Sequence, residues 1–327
     1  MYKKAFAVVT VFLIFILRRS TLSGYHHNEG RSFHPKNVVQ QNATTTKRLN
    51  SPAEGTAPKF VASNALHPRV LVYNRVPKCG SSTMIGTLLE LSKLNGFTHL
   101  HSSNYNNIWM NRTMLEYMTT GWLEVSKSMR FSFDRHLLFF EVQRFKEGEV
   151  AWMNLIREPV ERFVSKYYYT QQYQGTTKVR SLEDCLGDAD RSQCLPDNIN
   201  IVLSQITYFC GREPLCMVFG DKWGLQKAKA NVEAFFSVVG ILEDLPTTFQ
   251  VLQNVLPDFF TNYEFTFHGT GRIVENRRSE KFRQPISNAT KMFLKDYLRE
   301  EIEFYEYIKR RLYVQAKMIT SAADDAY

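Results

Sequence analysis

The stretch RVLVYNRVPKCGSST, residues 69–83, decides the fold of this chain. Its first five residues, RVLVY, are dense in Val and Leu, a composition typical of a strand buried on both faces. A helix is predicted to follow from about Ser81 to Asn95, with Gly96 as its C-cap. The loop 74–80 therefore lies between a strand and a helix N-terminus, where unpaired amides and the helix dipole favour an anion.

The loop carries several groups that suit a phosphate. Gly80 lets the backbone approach a ligand closely, and Lys78 adds a full positive charge. Hydroxyl donors follow at Ser81, Ser82 and Thr83. The nucleotide-triphosphate pattern GxxxxGK[ST] is absent, because the Lys precedes the Gly and no hydroxyl beside it could hold magnesium. On spacing alone, the alternative is an ordinary strand-to-helix turn with a capping Ser.

A second unit has the same organisation. VAWMNLI, residues 150–156, is an apolar strand candidate that ends at Arg157, and a helix is predicted over residues 159–169. The carboxyl ends of parallel strands are where α/β sheets bind ligands, so Arg157 and the hydroxyl of Ser165 could hold a second phosphate. The alternative is that Arg157 pairs with a carboxylate such as Glu158 and that Ser165 is a surface residue.

Further segments extend the pattern. FFSVVGIL, residues 235–242, is an apolar strand candidate followed by a Leu-rich helix, and residues 289–315 are helix-like. FTHLH, residues 97–101, alternates, so His99 and His101 would share one face of a strand. Strands that alternate with helices predict an α/β fold with a parallel sheet covered on both faces.

The N-terminus predicts a membrane anchor. Lys3 and Lys4 precede the apolar run of residues 5–17, and Arg18 and Arg19 follow it. Such a run spans roughly 20 Å, short of the ~30 Å hydrocarbon core, but flanking Lys and Arg can snorkel. A cleaved signal peptide is the alternative, yet no clear A-x-A-like cleavage site is present. We therefore expect an uncleaved type II anchor.

The anchor divides the chain into four parts. Residues 1–4 would be a cytoplasmic tail, residues 18–67 a polar, flexible stem, and residues 68–327 a folded domain in the secretory lumen. This location disfavours nucleic acid as a partner. The formal net charge of +9 then favours an anionic membrane or an acidic polysaccharide.

Two other features agree with the lumen. The chain carries N-glycosylation acceptor triplets at Asn42, Asn111 and Asn288. Four of its cysteines bracket two short loops with spacings that suit disulfides in an oxidising compartment, namely Cys185 with Cys194 and Cys210 with Cys216. A zinc site is the alternative for four clustered cysteines, but no CxxC pair is present.

Several motifs in order resemble one family. NRVPKCGSST with its following helix, and then NLIREPVERFVSKYYY, are similar to the 5′- and 3′-phosphate motifs of Golgi sulfotransferases that use 3′-phosphoadenosine 5′-phosphosulfate (PAPS). YFCGREPLC, VVGILEDL, LPDFF and EFYEYIK narrow the resemblance to the heparan sulfate and uronyl 2-O-sulfotransferases. It covers about residues 69–315. It implies a P-loop-like three-layer sandwich with a central parallel sheet.

The resemblance also implies roles for individual residues. The basic run ENRRSEKFRQP matches the family's late basic loop, and the two cysteine pairs match its two disulfides. Cys79 sits where some relatives carry Thr, so we interpret it as a loop residue rather than a nucleophile. The residues expected to bind PAPS are Arg75, Lys78, Cys79, Gly80, Ser81, Ser82, Thr83, Arg157, Ser165, Arg277, Ser279 and Lys281.

Sulfuryl transfer to a sugar hydroxyl needs a base for the proton and positive charge on the leaving phosphate. Lys78 suits the second task. His136, in SFDRHLLFFEVQRF, matches the stretch that holds the family's catalytic His, so it is the expected base, and His101 is the second candidate. The family has another His two positions before the catalytic one. Asp134 stands there in this chain, which puts the orientation of the base in question.

The acceptor is expected to be an acidic polysaccharide. Plausible contacts for its carboxylates and sulfates are Arg75, Arg135, Lys166 and Arg180, of which Arg180 reads more readily as a solvated surface charge. The resemblance implies 2-O-sulfation of a hexuronic acid in heparan, dermatan or chondroitin sulfate, without a metal. It also implies a Golgi type II membrane protein that forms homo-oligomers, such as trimers.

Three other functions fit parts of the sequence less well. A Golgi glycosyltransferase would share the anchor and stem, but its DxD metal site would have to be Asp188-Ala-Asp190, which lies between Cys185 and Cys194 without a preceding strand. A non-catalytic polysaccharide-binding protein would not need two phosphate sites. A kinase is disfavoured by the missing GxxxxGK[ST] pattern and by the lumenal location.

Overall fold

The computed structural model describes residues 64–102, 108–143, 145–173, 180–188, 191, 194–195, 204–267 and 283–324. Within these residues the chain forms a five-stranded sheet in the order β2-β3-β1-β4-β5. Every neighbouring pair runs parallel. The strands are β1 (Val70–Asn74), β2 (Thr98–His101), β3 (Phe131–Arg135), β4 (Val150–Ile156) and β5 (Phe236–Ile241).

Helices connect and cover the strands. They are α1 (Ser81–Asn95), α2 (Arg112–Ser128), α3 (Pro159–Tyr173), α4 (Leu182–Gly187), α5 (Ile206–Cys210), α6 (Lys222–Phe235), α7 (Leu245–Val255), α8 (Pro257–Phe260), α9 (Tyr263–Phe267), α10 (Asn288–Tyr297) and α11 (Arg299–Asp324). Short 3-10 turns lie at Pro214–Met217 and Leu242–Asp244. All five residues of β1 are buried, although successive side chains point to opposite faces, so both faces of the sheet are covered. The predicted three-layer α/β sandwich is confirmed.

The order of the strands creates a binding crevice beside β1. The connection through α1 leads from β1 to the outer strand β2, whereas the chain later crosses to β4 on the opposite side of β1. Such a reversal sends the loops after neighbouring strands in opposite directions and opens a crevice between them. Because β3, β1 and β4 are parallel neighbours, the loops that follow them all lie at the carboxyl end of the sheet, around this crevice.

Most predicted elements are confirmed, and some bounds are corrected. The strand candidates near residues 70, 150 and 236 are present, and Gly96 ends α1 with a φ of 72°. The segment 289–315, predicted as one helix, is two helices that meet at Leu298. Strand β3 and helix α2 were not predicted at all.

Both predicted disulfides are present. Cys185 bonds to Cys194, and Cys210 bonds to Cys216. The first links α4 to the short segment after it, in a small apolar cluster with α3 and α10. The second closes the turn between α5 and the 3-10 turn at Pro214–Met217.

Several predictions lie outside the described residues. These are the tail, the anchor, nearly all of the stem, Asn42, and the late basic-loop residues Arg277, Ser279 and Lys281. In the described part of the chain, no helix is long and apolar enough to cross a membrane. Asn111 and Asn288 are exposed residues at helix N-termini, and their glycosylation stays a prediction.

Candidate active site

The candidate site is built from three strand ends. In the parallel register, Asn74 at the end of β1 pairs with Arg135 at the end of β3, and Tyr73 pairs with Met153 of β4. The loop that starts at Arg75 thus leaves the sheet between His136, which follows β3, and Arg157, which follows β4. Residues from three distant parts of the sequence converge at this edge.

The loop between β1 and α1 adopts a conformation that ordinary residues avoid. Lys78 and Gly80 have φ values of 67° and 77°, both in the left-handed region. Gly80 is the N-cap of α1 and no side chain caps this helix. The hydroxyl of Ser81 instead donates to the carbonyl of Val76 over 3.4 Å. The simpler alternative, a turn with a capping Ser, is therefore wrong. The N-cap of α1 is a glycine, and no side-chain cap accepts a hydrogen bond from the first amides of the helix.

Gly80 leads to a first prediction about stability. A Cβ atom at this position would lie 2.6 Å from Cδ1 of Leu242 and would sit on a left-handed backbone. We expect Gly80→Ala to lower the free energy of unfolding by about 1–3 kcal/mol, because strain and steric overlap add. Urea unfolding followed by circular dichroism measures the change.

Gly86 provides the matched control for this prediction. It lies in α1, and a Cβ atom there would meet nothing within 4 Å. Gly86→Ala should leave stability unchanged or raise it by up to about 1 kcal/mol, as expected for Gly to Ala within a helix. Equal stabilities of the two variants would contradict the steric argument at Gly80.

Basic side chains gather around the loop. Nζ of Lys78 lies 4.0 Å from the ring centroid of Tyr169, and Lys166 lies over the same ring at 5.8 Å. Burial, together with the positive charges of Arg157 and Lys166, lowers the pKa of Lys78 to about 8. Neighbouring cations that lower one another's pKa indicate a region of positive potential. An anionic ligand bound there would be stabilised by these charges.

Gln205 ties the loop after β1 to the end of β4. Its Oε1 accepts from the backbone N–H of Arg157 at 3.0 Å and from the thiol of Cys79 at 3.3 Å. Its Nε2 donates to the carbonyl of Arg157 at 2.9 Å. The residue is fully buried. Sequence reasoning missed Gln205, because it lies 48 residues from Arg157 and no local pattern marks it.

Within the described residues, the side-chain partner of the Arg157 guanidinium is Glu161, and the contact is long. Its Nη2 lies 3.5 Å from Oε2 of Glu161, which Arg283 holds more tightly at 2.6 Å. The carboxylate of Glu158, named above as a possible partner, instead accepts from the backbone N–H of Glu161 at 2.7 Å. Arg157 thus does pair with a nearby carboxylate, as the alternative stated, but the partner is Glu161 rather than Glu158. A loosely held Arg at a strand end is suited to bind an anion.

Buried polar residues of α3 and α11 bind the loop after β1 and Gln205. Ser165 is 7% exposed, so it is not the surface residue that the alternative required. Arg162, also buried, donates from Nε to the carbonyl of Pro77 at 2.9 Å. Buried Glu301 of α11 accepts from the hydroxyl of Ser204 at 2.6 Å and from the backbone N–H of Gln205 at 2.8 Å. Arg162 and Glu301 were both missed from sequence.

The remaining loop residues divide by exposure. Cys79 is fully buried, and burial raises the pKa of its thiol to about 12. Because the thiolate is the reactive form, this argues for a loop residue rather than a nucleophile. Ser82 is exposed and Thr83 is half-buried, both in the first turn of α1.

His136 is oriented by a backbone carbonyl. Its Nδ1 lies 2.9 Å from the carbonyl oxygen of Arg75, which can only accept, so Nδ1 carries the proton. In the neutral ring the lone pair is then on Nε2. Burial, and then the charge of Arg75, lower the pKa of His136 to about 4. The imidazole is therefore neutral at pH values near 7, as a general base must be.

Asp134 anchors the start of the loop. Its Oδ1 lies 2.8 Å from Nε of Arg75, and both side chains are buried. Its Oδ2 lies 3.0 Å from Nε2 of His99 and 2.9 Å from Nδ1 of His101. A ligand could reach the Arg75 guanidinium, which is 1% exposed, only if this ion pair opened. Nδ1 of His101, the second candidate base, contacts the same carboxylate.

The predicted acceptor contacts behave differently from one another. Arg135 is buried, donates to the hydroxyl of Ser102 at 3.2 Å, and has its pKa lowered by burial and by Arg75. Lys166 belongs to the basic group around Tyr169. Arg180 pairs with the exposed carboxylate of Asp188, which supports its interpretation as a surface charge.

Comparison with known proteins gives a consistent result. A family model described as "Sulfotransferase family" matches residues 66–308. The chain is 30% identical over 270 residues to the uronyl 2-sulfotransferase homolog pip of Drosophila melanogaster, covering 74% of this chain and 52% of that protein. It is 31% identical over 269 residues to human uronyl 2-sulfotransferase, covering 76% and 63%. Human heparan sulfate 2-O-sulfotransferase 1 is 25% identical over 276 residues, covering 79% and 75%. The match thus spans between about half and two-thirds of the uronyl relatives.

Proposed function

The chain belongs to the sulfotransferase family, and from this premise we propose that it transfers a sulfuryl group from PAPS to the 2-hydroxyl of a hexuronic acid in a glycosaminoglycan or related glycan. The relatives named above carry uronyl and heparan sulfate acceptors in their names. One observation carries the proposal. The glycine turn, the neutral His136 and the loosely paired Arg157 meet at one edge of the sheet.

The residues of this edge fit a ligand with two separated phosphates. Residues 78–83 would hold the 5′-phosphosulfate side, since the loop combines Lys78, a glycine N-cap and the first amides of α1. Arg157 and Ser165 would hold the 3′-phosphate. Arg277, Ser279 and Lys281 stay candidates for the late basic loop. PAPS, when bound, supplies a sulfuryl group already attached to a phosphate leaving group.

The protein side of the reaction follows from two side chains. His136 accepts the proton of the sugar hydroxyl at Nε2, while its Nδ1–H stays on the carbonyl of Arg75. The new O–S bond forms as the bond between sulfur and the phosphate oxygen breaks. Lys78 places positive charge where negative charge develops on the departing phosphate. The proposed transfer uses no metal, so EDTA should not abolish it.

The pH dependence of kcat/KM should be bell-shaped, with limbs set by these two groups. His136 must be neutral, so activity is lost only as the pH falls through about 4. Lys78 must be charged, so activity is lost as the pH rises through about 8. In kcat the alkaline limb should lie higher, because bound phosphates stabilise the charged Lys. Initial rates from about one pH unit below the acidic midpoint to pH 10 measure both limbs.

An unperturbed His would contradict this assignment. It would give an acidic limb near ~6.5, the ordinary pKa of an imidazole. Circular dichroism at each pH separates unfolding from titration. A limb near 6.5 with intact structure would transfer the role of base from His136 to another residue.

The location and partners of the enzyme are part of the proposal. We place it as a type II membrane protein of the Golgi with the catalytic domain in the lumen, forming homo-oligomers. Two disulfides suit an oxidising compartment. The excess of 41 Lys and Arg over 32 Asp and Glu suits an acidic polysaccharide acceptor.

A glycosyltransferase is disfavoured because the described part of the DxD motif that it would need, Asp188-Ala-Asp190, shows no sign of a metal site. Asp188 is engaged by Arg180 at the surface, and Asp190 lies outside the described residues. A non-catalytic polysaccharide-binding protein is the remaining rival. It would bind heparin but would have no reason to bind adenosine 3′,5′-bisphosphate.

The decisive test offers the full chain labelled PAPS and a panel of desulfated glycosaminoglycans. Label on the 2-position of a uronic acid supports the proposal and identifies the acceptor. Binding of adenosine 3′,5′-bisphosphate without label on any glycan would reject the acceptor class and keep the cofactor site. Turnover of a sugar nucleotide with manganese would replace the proposal with a glycosyltransferase.

A further inference from the structure

A compact group of imidazoles and a carboxylate lies at the ends of β2 and β3. His99 and His101 share one face of β2, and in the register of the sheet they pair with Ser132 and Asp134 of β3. The side chains of His99 and Asp134 are fully buried, and that of His101 is 34% exposed. The mechanism above uses none of these imidazoles.

We propose that His99, His101 and Asp134 bind a divalent transition-metal ion with the ligand preference of zinc. Two imidazoles and one carboxylate form a ligand set typical of zinc sites that keep a fourth position for water. Magnesium and calcium prefer all-oxygen ligands and are disfavoured here. The partial exposure of His101 gives the ion a path to solvent.

The distances suit a single ion. The ligand atoms of the three residues lie within 4.8 Å of one another. Nε2 of His99 and Nδ1 of His101 lie 3.0 Å and 2.9 Å from the same carboxylate oxygen. Zinc bonds of about 2.0–2.2 Å place neighbouring ligand atoms roughly 3–3.5 Å apart. Shifts of a few tenths of an ångström would therefore complete the site.

The outer partners hold the ligands in the required orientation. Nδ1 of His99 lies 2.8 Å from the hydroxyl of Ser132, so when that hydroxyl accepts from Nδ1–H, Nε2 presents its lone pair to the ion. Arg75 occupies Oδ1 of Asp134 and so directs Oδ2 to the histidines. Hydrogen bonds of this kind to ligating imidazoles and carboxylates are a regular part of metal sites.

The same contacts would also serve as a metal-free anchor for Arg75. Nε2 of His99 lies 3.0 Å from Oδ2 of Asp134, a distance that fits either a hydrogen bond or two ligands of one ion. Metal titration distinguishes the two arrangements.

The proposed metal site lies away from Arg157, although Asp134 contacts Arg75 at the start of the loop after β1. Strands β2 and β3 lie on one side of β1, whereas β4, which carries Arg157, lies on the other. The ion takes no part in the proposed transfer step. The inference therefore does not rest on the proposed function, and either can fail alone.

Metal titration of the full chain tests the site. Protein stripped with a chelator and dialysed is titrated with Co²⁺, whose visible absorption reports low-coordinate nitrogen and oxygen ligands, and then with Zn²⁺ as competitor. The variants are His101→Ala, His101→Gln as a size-conserving alternative, and Ser132→Ala. His67→Ala is the matched control, because it removes an exposed imidazole paired with Asp258. Thermal unfolding confirms that each variant is folded.

We expect one Co²⁺ per wild-type chain, displaced by Zn²⁺. His101→Ala and His101→Gln should weaken the apparent Zn²⁺ affinity by at least ~100-fold, and Ser132→Ala by about 10-fold, as an outer partner does. His67→Ala should not change it. The absence of a saturable site in wild type would overturn the proposal. Equal affinities of the folded His101 variants and wild type would do the same and would assign binding to other histidines, such as those at residues 26, 27 and 34.

Discussion

Replacing His136 with Ala should lower kcat/KM for sulfuryl transfer by about 10²–10⁴-fold, the usual contribution of a positioned general base. The imidazole is neutral because burial and Arg75 lower its pKa to about 4, and Nδ1 is fixed on the carbonyl of Arg75. Only Nε2 is then oriented to take the proton of the acceptor. Initial rates with labelled PAPS and a desulfated acceptor measure the loss.

Two further variants separate chemistry from structure. In His136→Asn the amide N–H can still donate to the carbonyl of Arg75, but no lone pair of suitable basicity is left, so this variant should be as impaired as His136→Ala. His67→Ala, at an exposed imidazole, should retain wild-type rates. Added imidazole should restore part of the activity of His136→Ala. A loss of less than about 10-fold in both His136 variants would remove His136 from the role of base.

Replacing Lys78 with Ala should lower kcat/KM by about 10²–10³-fold, as does the loss of one preorganised donor at a developing negative charge. Lys78 sits in a left-handed conformation between two strand ends. Burial, and then the charges of Arg157 and Lys166, lower the pKa of its ammonium group, and a bound anion would reverse this effect. We expect kcat to fall more than the affinity for adenosine 3′,5′-bisphosphate, because charge on the leaving phosphate grows during transfer. Single-turnover rates and calorimetric titration measure these separately.

Lys166 and Lys93 provide the comparison for this result. Lys166 lies over the same Tyr169 ring but farther from the centroid, at 5.8 Å against 4.0 Å for Lys78. Lys166→Ala should cost less than about 10-fold in kcat. Lys93→Ala, at an exposed residue paired with Glu90, should have no effect. Equal losses at Lys78 and Lys166 would show that general positive potential, rather than a specific contact, is what matters.

The parts of the fold that could be predicted are those with a local signal. RVLVY and VAWMNLI are short, predominantly apolar segments that end at a turn, and such segments indicate buried parallel strands. Because both strands end at the same edge of a parallel sheet, the nearness of the residue 75–80 loop to Arg157 followed from sequence alone. The disulfides followed from spacing and resemblance.

The parts that were missed depend on contacts between distant residues. Strand β3 is a five-residue segment, FSFDR, whose alternation of Phe131 and Phe133 was the available signal. Without β3, His136 could not be placed at a strand end, and Asp134 could not be paired with His101. Gln205 and Glu301 have no signal of their own, since a buried Gln or Glu in isolation is indistinguishable from a surface residue.

Gln205 connects the two loops that are proposed to bind the two phosphates of the donor. One amide group bonds to the loop after β1 and to both backbone atoms of Arg157, and its own backbone N–H is held by Glu301 of α11. A change in the conformation of either loop would alter the hydrogen bonds of Gln205 to the other loop, so the conformations of the two loops are linked. Adenosine 3′,5′-bisphosphate should therefore bind with positive coupling between its two ends, and a nucleotide with a single phosphate should lose more than half of the binding free energy. Through Glu301, helix α11 would thereby contribute to the discrimination between the proposed donor and nucleotides with a single phosphate.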